Sequence, residues 1–167
     1  FVGRAQHALG RRGSVGFLGT AVVRDLRTPG LSSLLVDRAL VGGVDGHVFL
    51  DEKRDWVVSG GLSGSTVAGS QASVLRVQRA APRYYQRPDA SHLGVDPNAT
   101  SLSGHGGSVR FGRSDTSRLR LTDHFHWYSP GLELNDVGYL RQADLMANQV
   151  FLGWVESPPR GIFRSYS

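Results

Sequence analysis

The amino-acid sequence predicts an all-β fold, an antiparallel up-and-down meander in which each strand pairs with the next one along the chain. Apolar and polar residues alternate with a period of two over much of the sequence, and turn-forming residues interrupt the alternation at short intervals. Stretches with the period of an amphipathic helix are almost absent. The 22 glycines among 167 residues suit a sheet that bends and twists strongly.

Six strands are predicted in the first half of the chain. The alternation is clearest at residues 55–67, where the apolar Trp56 and Leu62 share a face opposite Ser59. Gly, Pro and charged residues mark the connections, which fall at residues 10–13, 25–30 and 51–54. The predicted strands are residues 2–9, 14–24, 31–40, 44–50, 55–67 and 72–79.

The second half is predicted to contain four more strands and two long connections. Residues 80–101 hold several prolines, which cannot donate to a strand ladder, and are predicted to form an irregular loop outside any membrane zone. Residues 129–148 are predicted to form the other connection, with one short helical turn near residues 137–146. The predicted strands are residues 102–112 and 117–128, joined by a polar turn at 113–116, and then 150–156 and 161–166.

The pattern on the two strand faces favours part of a transmembrane β-barrel. Small polar residues on one face and apolar residues on the other suit a wall between water and a nonpolar medium, and about 9–11 residues are enough for a strand to span a bilayer. A soluble β-sandwich also has alternating strands and is the alternative. The long strands, and the Gly and Ser residues where an inner face would carry bulky side chains, favour the barrel.

Composition narrows the function classes. The chain has no cysteine, which excludes disulfides and thiolate metal sites. Its net charge is +5, and Lys53 is the only lysine, so the positive charge is carried by arginines scattered through strands and turns. That distribution favours arginines that line a polar lumen or lie at lipid headgroups over nucleic-acid binding. No apolar run reaches the length of a transmembrane helix.

Residues 129–144 read Ser-Pro-Gly-Leu-Glu-Leu-Asn-Asp-Val-Gly-Tyr-Leu-Arg-Gln-Ala-Asp. This run resembles a hallmark of a bacterial family of unknown function, whose members join an N-terminal domain similar to family-9 carbohydrate-binding modules to a C-terminal outer-membrane β-barrel. Residues 10–21, 31–38 and 44–65 are similar to further segments of that barrel. Leu34 stands where a Gly-like residue is commoner, and the segment between Arg24 and Leu31 is short.

The resemblance implies that residues 1–167 are a single segment of the barrel domain. The chain would be a fragment from the outer membrane of a Gram-negative bacterium, with membrane lipid as its partner. The carbohydrate-binding-like domain is absent from the sequence, so sugar binding by that domain is not carried over.

Residues 117–128 hold the candidate polar-face site. His124 and His126 share a strand face, a spacing used in some metal sites, but no third ligand is identifiable and no metal site is predicted. The polar side is predicted to line a lumen and to prefer anionic or carbohydrate solutes. The lumen candidates are Arg118, Arg120, His124 and His126. Aromatic residues nearby suit either a membrane-interface belt or buried packing.

The densest acidic group lies in the hallmark run. Its residues could perform acid–base chemistry or bind Ca²⁺, but the favoured interpretation is that they cap a helical turn that begins near Val137. They could also pair with Arg141, or with Arg118 and Arg120, and so fix a loop folded into the barrel. The residues of this loop motif are Glu133, Asn135, Asp136 and Asp144.

No catalytic site or cofactor is predicted, because the sequence lacks a nucleophile elbow, a phosphate loop and a dinucleotide fingerprint. The leading hypothesis is an outer-membrane β-barrel segment with a transport, pore or anchoring role. The alternatives are a soluble β-sandwich that binds carbohydrate, and an outer-membrane hydrolase. A second sheet packed on Trp56, Val58 and Leu62 would favour the sandwich, and Ser, His and acidic side chains meeting in one pocket would favour the hydrolase.

Overall fold

A computed structural model describes residues 1–28, 30–113, 118–136 and 138–155, and these residues form one antiparallel sheet. Each strand pairs with the next along the chain, which confirms the predicted all-β meander. The predicted strand at residues 161–166 and most of the turn at 113–116 lie outside the described residues. The strands are β1 (Val2–Ala8), β2 (Gly13–Val23), β3 (Arg38–Phe49), β4 (Trp56–Ala68), β5 (Ser101–Arg113), β6 (Leu119–Tyr128) and β7 (Leu145–Trp154).

The predicted strand at residues 72–79 is wrong, and the one at residues 31–40 is wrong in its first part, because helices stand at these positions. Helix α1 spans Leu31–Leu34 and helix α2 spans Gln71–Arg79. The hydroxyl of Ser70 accepts a hydrogen bond from the backbone N–H of Ser73 and so caps α2. A short apolar run does not distinguish a strand from a helix by its period, and here burial of one helix face decides the outcome.

Strand β3 joins two predicted segments. From the sequence, one strand is predicted to end at residue 40 and the next to begin at residue 44. In the structure Gly42 pairs with Gly19 of β2 and with Gly64 of β4, so the ladder continues through this position on both sides.

The helical turn predicted near residues 137–146 is also wrong for the described residues, 138–146. Instead, the side-chain oxygen of Asn135 accepts a hydrogen bond from the backbone N–H of Leu140 at 2.8 Å and closes a non-helical turn. Strand β7 already begins at Leu145, within the predicted helix. The Asn side chain therefore stabilises a loop and does not cap a helix.

The alternation places most large apolar side chains on one side of the sheet, which we call the apolar face. The strand register places four of them in one row across the sheet: Phe17 of β2, Val44 of β3, Leu62 of β4 and Trp127 of β6. Leu62 is 57% exposed, and Phe17 and Val44 are exposed in the same way. The exposed apolar residues of this face are Val15, Phe17, Leu40, Val44, Val48, Leu62, Val109, Met146, Val150, Leu152 and Trp154.

The connections at the two ends of the sheet differ in length. Residues 9–12 and 50–55 join strands at one end, where β5 also ends and β6 begins. Residues 24–37, 69–100 and 129–144 join strands at the other end. Gly10 in the first short turn has φ 61°, a left-handed conformation that favours glycine. Neither helix among the described residues has the length and apolarity that crossing a membrane would require.

The long connections pack on the opposite side of the sheet, which we call the polar face. Under helix α2, Val36, Ala39 and Val67 form a buried cluster with Val22, Val77 and Leu102. A second cluster joins Leu132, Leu140 and Ala143 of the connection between β6 and β7 to Tyr128. The buried core therefore lies at the long-loop end of the polar face.

Candidate functional site

The polar face holds an open cleft of about 740 Å³ midway along the strands, which we call the polar cleft. Glycines in β3 and β4 form part of its wall with backbone alone. The side chains that line it come from β3, β4, β5, β6 and β7. These lining residues are Asp45, His47, Ser59, Ser108, Arg110, Thr122, His124, Gln149 and Phe151.

The strand register explains why the polar side chains meet. Ser59 of β4 lies opposite His47 of β3 on one side and Arg110 of β5 on the other. Arg110 in turn lies opposite His124. With Ser14 of β2 and Gln149 of β7, these residues form one row across the sheet, and each side chain in the row can donate a hydrogen bond. We call it the donor row, and its members are Ser14, His47, Ser59, Arg110, His124 and Gln149.

The structure brings three of the four predicted lumen candidates onto the polar face. Arg120, His124 and His126 lie on this side of β6, and the rings of the two histidines are 5.1 Å apart. Arg118 precedes the strand, and its carbonyl accepts a hydrogen bond from the backbone N–H of Val155 at 2.8 Å. Sequence reasoning missed Arg110 and His47, because only the register between strands shows that they stand beside His124.

The positive charge of the polar face is only partly compensated. Asp45 is the one carboxylate among the described lining residues, and it lies 3.0 Å from the guanidinium of Arg4. Arg110 and Arg120 make no ion pair within the described ranges. Arg120 Nε and His126 Nδ1 are buried atoms with no hydrogen-bond partner there.

Residues 129–136 and 138–144 fold inward over the polar face, and we call the segment 129–144 the inner loop. A buried ion pair holds it: Arg83 Nη1 lies 2.6 Å from Glu133 Oε2, with side chains only 1% and 6% exposed. Arg83 also donates to the carbonyl of Leu132. The backbone N–H of Glu133 donates to Ser65 Oγ of β4 at 2.8 Å, which ties the loop to the sheet.

The other acids of the motif anchor the same loop. Asp136 lies 2.6 Å from Arg24, and Asp144 contacts both Arg87 and His92. None of these contacts, nor the Arg83–Glu133 pair, involves Arg118, Arg120 or Arg141, which the sequence suggested as partners. The acidic groups thus pair separately with bases from distant segments and do not gather in one site.

Close backbone contact between the inner loop and β5 depends on glycine. A Cβ atom at Gly104 would overlap the backbone of Gly131 and Leu132, and one at Gly131 would overlap the carbonyl of Ser103. The missing side chains let the loop lie directly on the strand.

We expect Gly104→Ala to lower the free energy of unfolding by about 1–3 kcal/mol, because the loop has to move away from β5. Chemical denaturation in detergent micelles measures this loss. Gly42→Ala is the matched control, because a Cβ at that strand position meets nothing within 4 Å. Equal losses in the two variants would contradict the close-contact explanation.

Comparisons with known proteins found no relative of this chain that would indicate its chemistry. No protein-family model, no curated protein and no solved structure matches the chain.

The described residues hold no group of three or more His, Asp or Glu side chains able to bind a metal ion. His124 and His126 remain a pair, and Asp123 lies on the opposite face of the same strand. Ser14 Oγ lies 3.3 Å from His47 Nδ1 and also accepts a hydrogen bond from Gln6 Nε2. No carboxylate contacts His47 within the described ranges, so this pair lacks the third group of a catalytic triad.

Two shifted pKa values lie in the connections. Backbone N–H groups, that of Trp56 foremost, donate to Asp51 and hold the pKa of its carboxyl below the usual value. Burial raises the pKa of the Tyr85 phenol above its usual value. Asp51 therefore stabilises the turn between β3 and β4 as a carboxylate, and neither shift bears on the polar cleft.

Proposed function

We propose that this chain is part of the wall of an outer-membrane β-barrel, with the apolar face against lipid and the polar face towards water. The observation that carries the proposal is that the long connections cover the polar face, whereas the apolar face stays exposed. A soluble antiparallel sheet does the opposite and packs its apolar side into a core. A contiguous apolar surface of this extent requires a nonpolar partner.

The connection lengths and strand lengths support the same proposal. Outer-membrane barrels have short turns at the periplasmic end and long loops at the extracellular end. The chain has this asymmetry, with its long connections all at one end. Strands β4 and β5 each have 13 residues, more than the roughly 9–11 that a tilted strand needs to span a bilayer.

Aromatic side chains near the short-turn end fit a membrane interface. Trp56 stacks on Phe111 with ring centroids 5.2 Å apart, and the guanidinium of Arg113 lies 5.6 Å from the Trp56 ring. Tryptophan at headgroup level and arginine that extends its charge towards water are typical of such belts. Because the short turns of outer-membrane barrels lie at the periplasmic end, this end would face the periplasm.

Barrel closure needs strands beyond those described here. Strands β1 and β7 each pair on one side only among the described residues. Unpaired backbone groups are costly in lipid, so both edges have to be paired by further strands. The family suggested by the inner-loop sequence would supply them from the rest of its barrel domain. Transport of solutes, a pore, or anchoring of an attached periplasmic domain are the roles that such a wall serves.

The two alternatives have less support. Within the described ranges no second sheet packs on Trp56, Val58 or Leu62, as the soluble sandwich would require. The polar cleft does bring together Ser, His and one acidic side chain, Asp45, but Asp45 pairs with Arg4. Among the described residues no carboxylate contacts His47, so the Ser14–His47 contact lacks the acidic partner that a hydrolase would require.

Tryptophan fluorescence tests the proposal directly, because all three tryptophans of the chain, Trp56, Trp127 and Trp154, lie on the apolar face. After reconstitution of the barrel domain that contains this chain into phosphatidylcholine vesicles, we expect brominated acyl chains to quench the emission of these three tryptophans strongly. We expect aqueous iodide to quench it weakly.

The matched control places the fluorophore on the other face. In a variant with all three tryptophans replaced by phenylalanine and with Phe151→Trp, the probe lines the polar cleft. For this variant we expect aqueous iodide to quench the emission strongly and brominated acyl chains to quench it weakly. Strong iodide quenching and no bromolipid quenching of the natural tryptophans would overturn the proposed orientation.

A further inference from the structure

We propose that the polar cleft binds a small anion, a phosphate or carboxylate group, and that Arg110 is its principal ligand. The inference rests on the proposed function, because it takes the polar face to be the water-filled side of the barrel. It names the class of solute that this side would retain.

The polar cleft carries positive charge that no carboxylate among the described residues neutralises. Arg110 projects into the cleft and has no ion pair within the described ranges, and Arg120 lies on the same face without one. The single lining carboxylate, Asp45, is already paired with Arg4. The cleft therefore has a net positive field, which raises the local concentration of anions.

Hydrogen-bonding capacity is the second argument. Arg110 is flanked by Ser59 and His124, its partners on the neighbouring strands, so an anion held at the guanidinium lies within reach of further donors. Guanidinium groups bind phosphate and carboxylate in a planar, two-bond geometry. A neutral sugar would use the same donors but would leave the charge of Arg110 uncompensated.

The space available is the third argument. Gly61 and Ser108 form the next pair on the same face after Ser59 and Arg110. Because both residues are small, the middle of the cleft stays open. The volume of about 740 Å³ admits an anion together with the remainder of a small solute. The inner loop covers the long-loop end, so the open route to the cleft is from the short-turn end.

Titration with inorganic phosphate tests the inference. The barrel domain that contains the 167-residue chain is refolded in micelles of a detergent without phosphate, and ¹⁵N resonances of the Arg110 and His124 side chains are followed by NMR. We expect both to shift saturably with phosphate and not with sodium chloride of equal ionic strength. We expect Arg110→Gln to weaken phosphate binding about tenfold, the loss of one charged hydrogen-bonding partner.

Arg113→Gln is the matched control, because Arg113 lies on β5 as Arg110 does but against Trp56 on the apolar face. It should leave phosphate binding unchanged. Arg110→Lys keeps the charge but loses the planar fork, and should bind phosphate with intermediate strength. Circular dichroism checks that each variant is folded, and His124→Gln, read at Arg110, provides a second test if Arg110→Gln does not fold.

The outcomes separate the two proposals. Unchanged phosphate affinity in a folded Arg110→Gln variant, or no saturable shift in the unmodified chain, would overturn the anion site. Membrane insertion measured by bromolipid quenching is independent of both results. A barrel domain that contains this chain with its pairing strands, binds phosphate at Arg110 and does not insert would overturn the barrel and leave the anion site standing.

Discussion

Replacing Arg83 by methionine is expected to lower the free energy of unfolding by about 3–5 kcal/mol, because Glu133 would remain buried without its counter-charge. The side chains of both residues are almost fully buried, and this burial keeps bulk solvent away from the Glu133 carboxylate. The carbonyl of Leu132 would lose a donor as well. Urea unfolding in detergent micelles measures the loss, and proteolysis of the inner loop reports whether it detaches.

Arg4→Met is the control for this prediction. Arg4 and Asp45 also form an ion pair, at 3.0 Å, but their side chains are 50% and 48% exposed. Solvent screening limits such a pair to about 0–1 kcal/mol. A loss no larger for Arg83→Met than for Arg4→Met would show that the Arg83–Glu133 pair does not hold the inner loop.

The second large effect is expected from a charge placed on the apolar face. Val109 lies near the middle of β5, opposite Gly60 and Phe125, and is 48% exposed. In a soluble sheet Val109→Arg would change stability by no more than about 0.5 kcal/mol, as surface substitutions usually do. On a lipid-facing strand near mid-membrane the same change costs about 2–4 kcal/mol. The free energy of unfolding from lipid vesicles decides between the two values.

Ser108→Arg is the matched control, because Ser108 is the adjacent residue of β5 and lines the polar cleft. The introduced guanidinium stays in water there, and we expect a change under about 1 kcal/mol. A loss for Val109→Arg no larger than that for Ser108→Arg would contradict a lipid-facing apolar face. Both variants introduce an arginine into the same strand at nearly the same depth, so they differ mainly in the face that carries the charge.

Strand faces could be read from the sequence because side-chain alternation is a local property of an extended backbone. The strands predicted at residues 14–24 and 55–67 correspond to β2 and β4, with ends displaced by a residue or two. The assignment of His124 and His126 to one face of β6 follows from the same alternation. Neither result needs knowledge of which strand lies beside which.

Residues 31–34 and 72–79 could not be assigned from their own pattern, since a short apolar run fits a helix and a strand equally. Contact of Val77 with the cluster of Val36, Ala39 and Val67 selects the helix α2. Those residues come from segments far apart in the chain.

The sequence by itself thus determined the all-β meander and the separation of apolar from polar faces, because both depend on the order of neighbouring residues. Tertiary structure alone decided that Arg83 neutralises Glu133 and that Arg110 stands between Ser59 and His124. Those positions depend on strand register and on the path of the long connections. Both are set by packing between distant segments, which leaves no periodic signal in the chain.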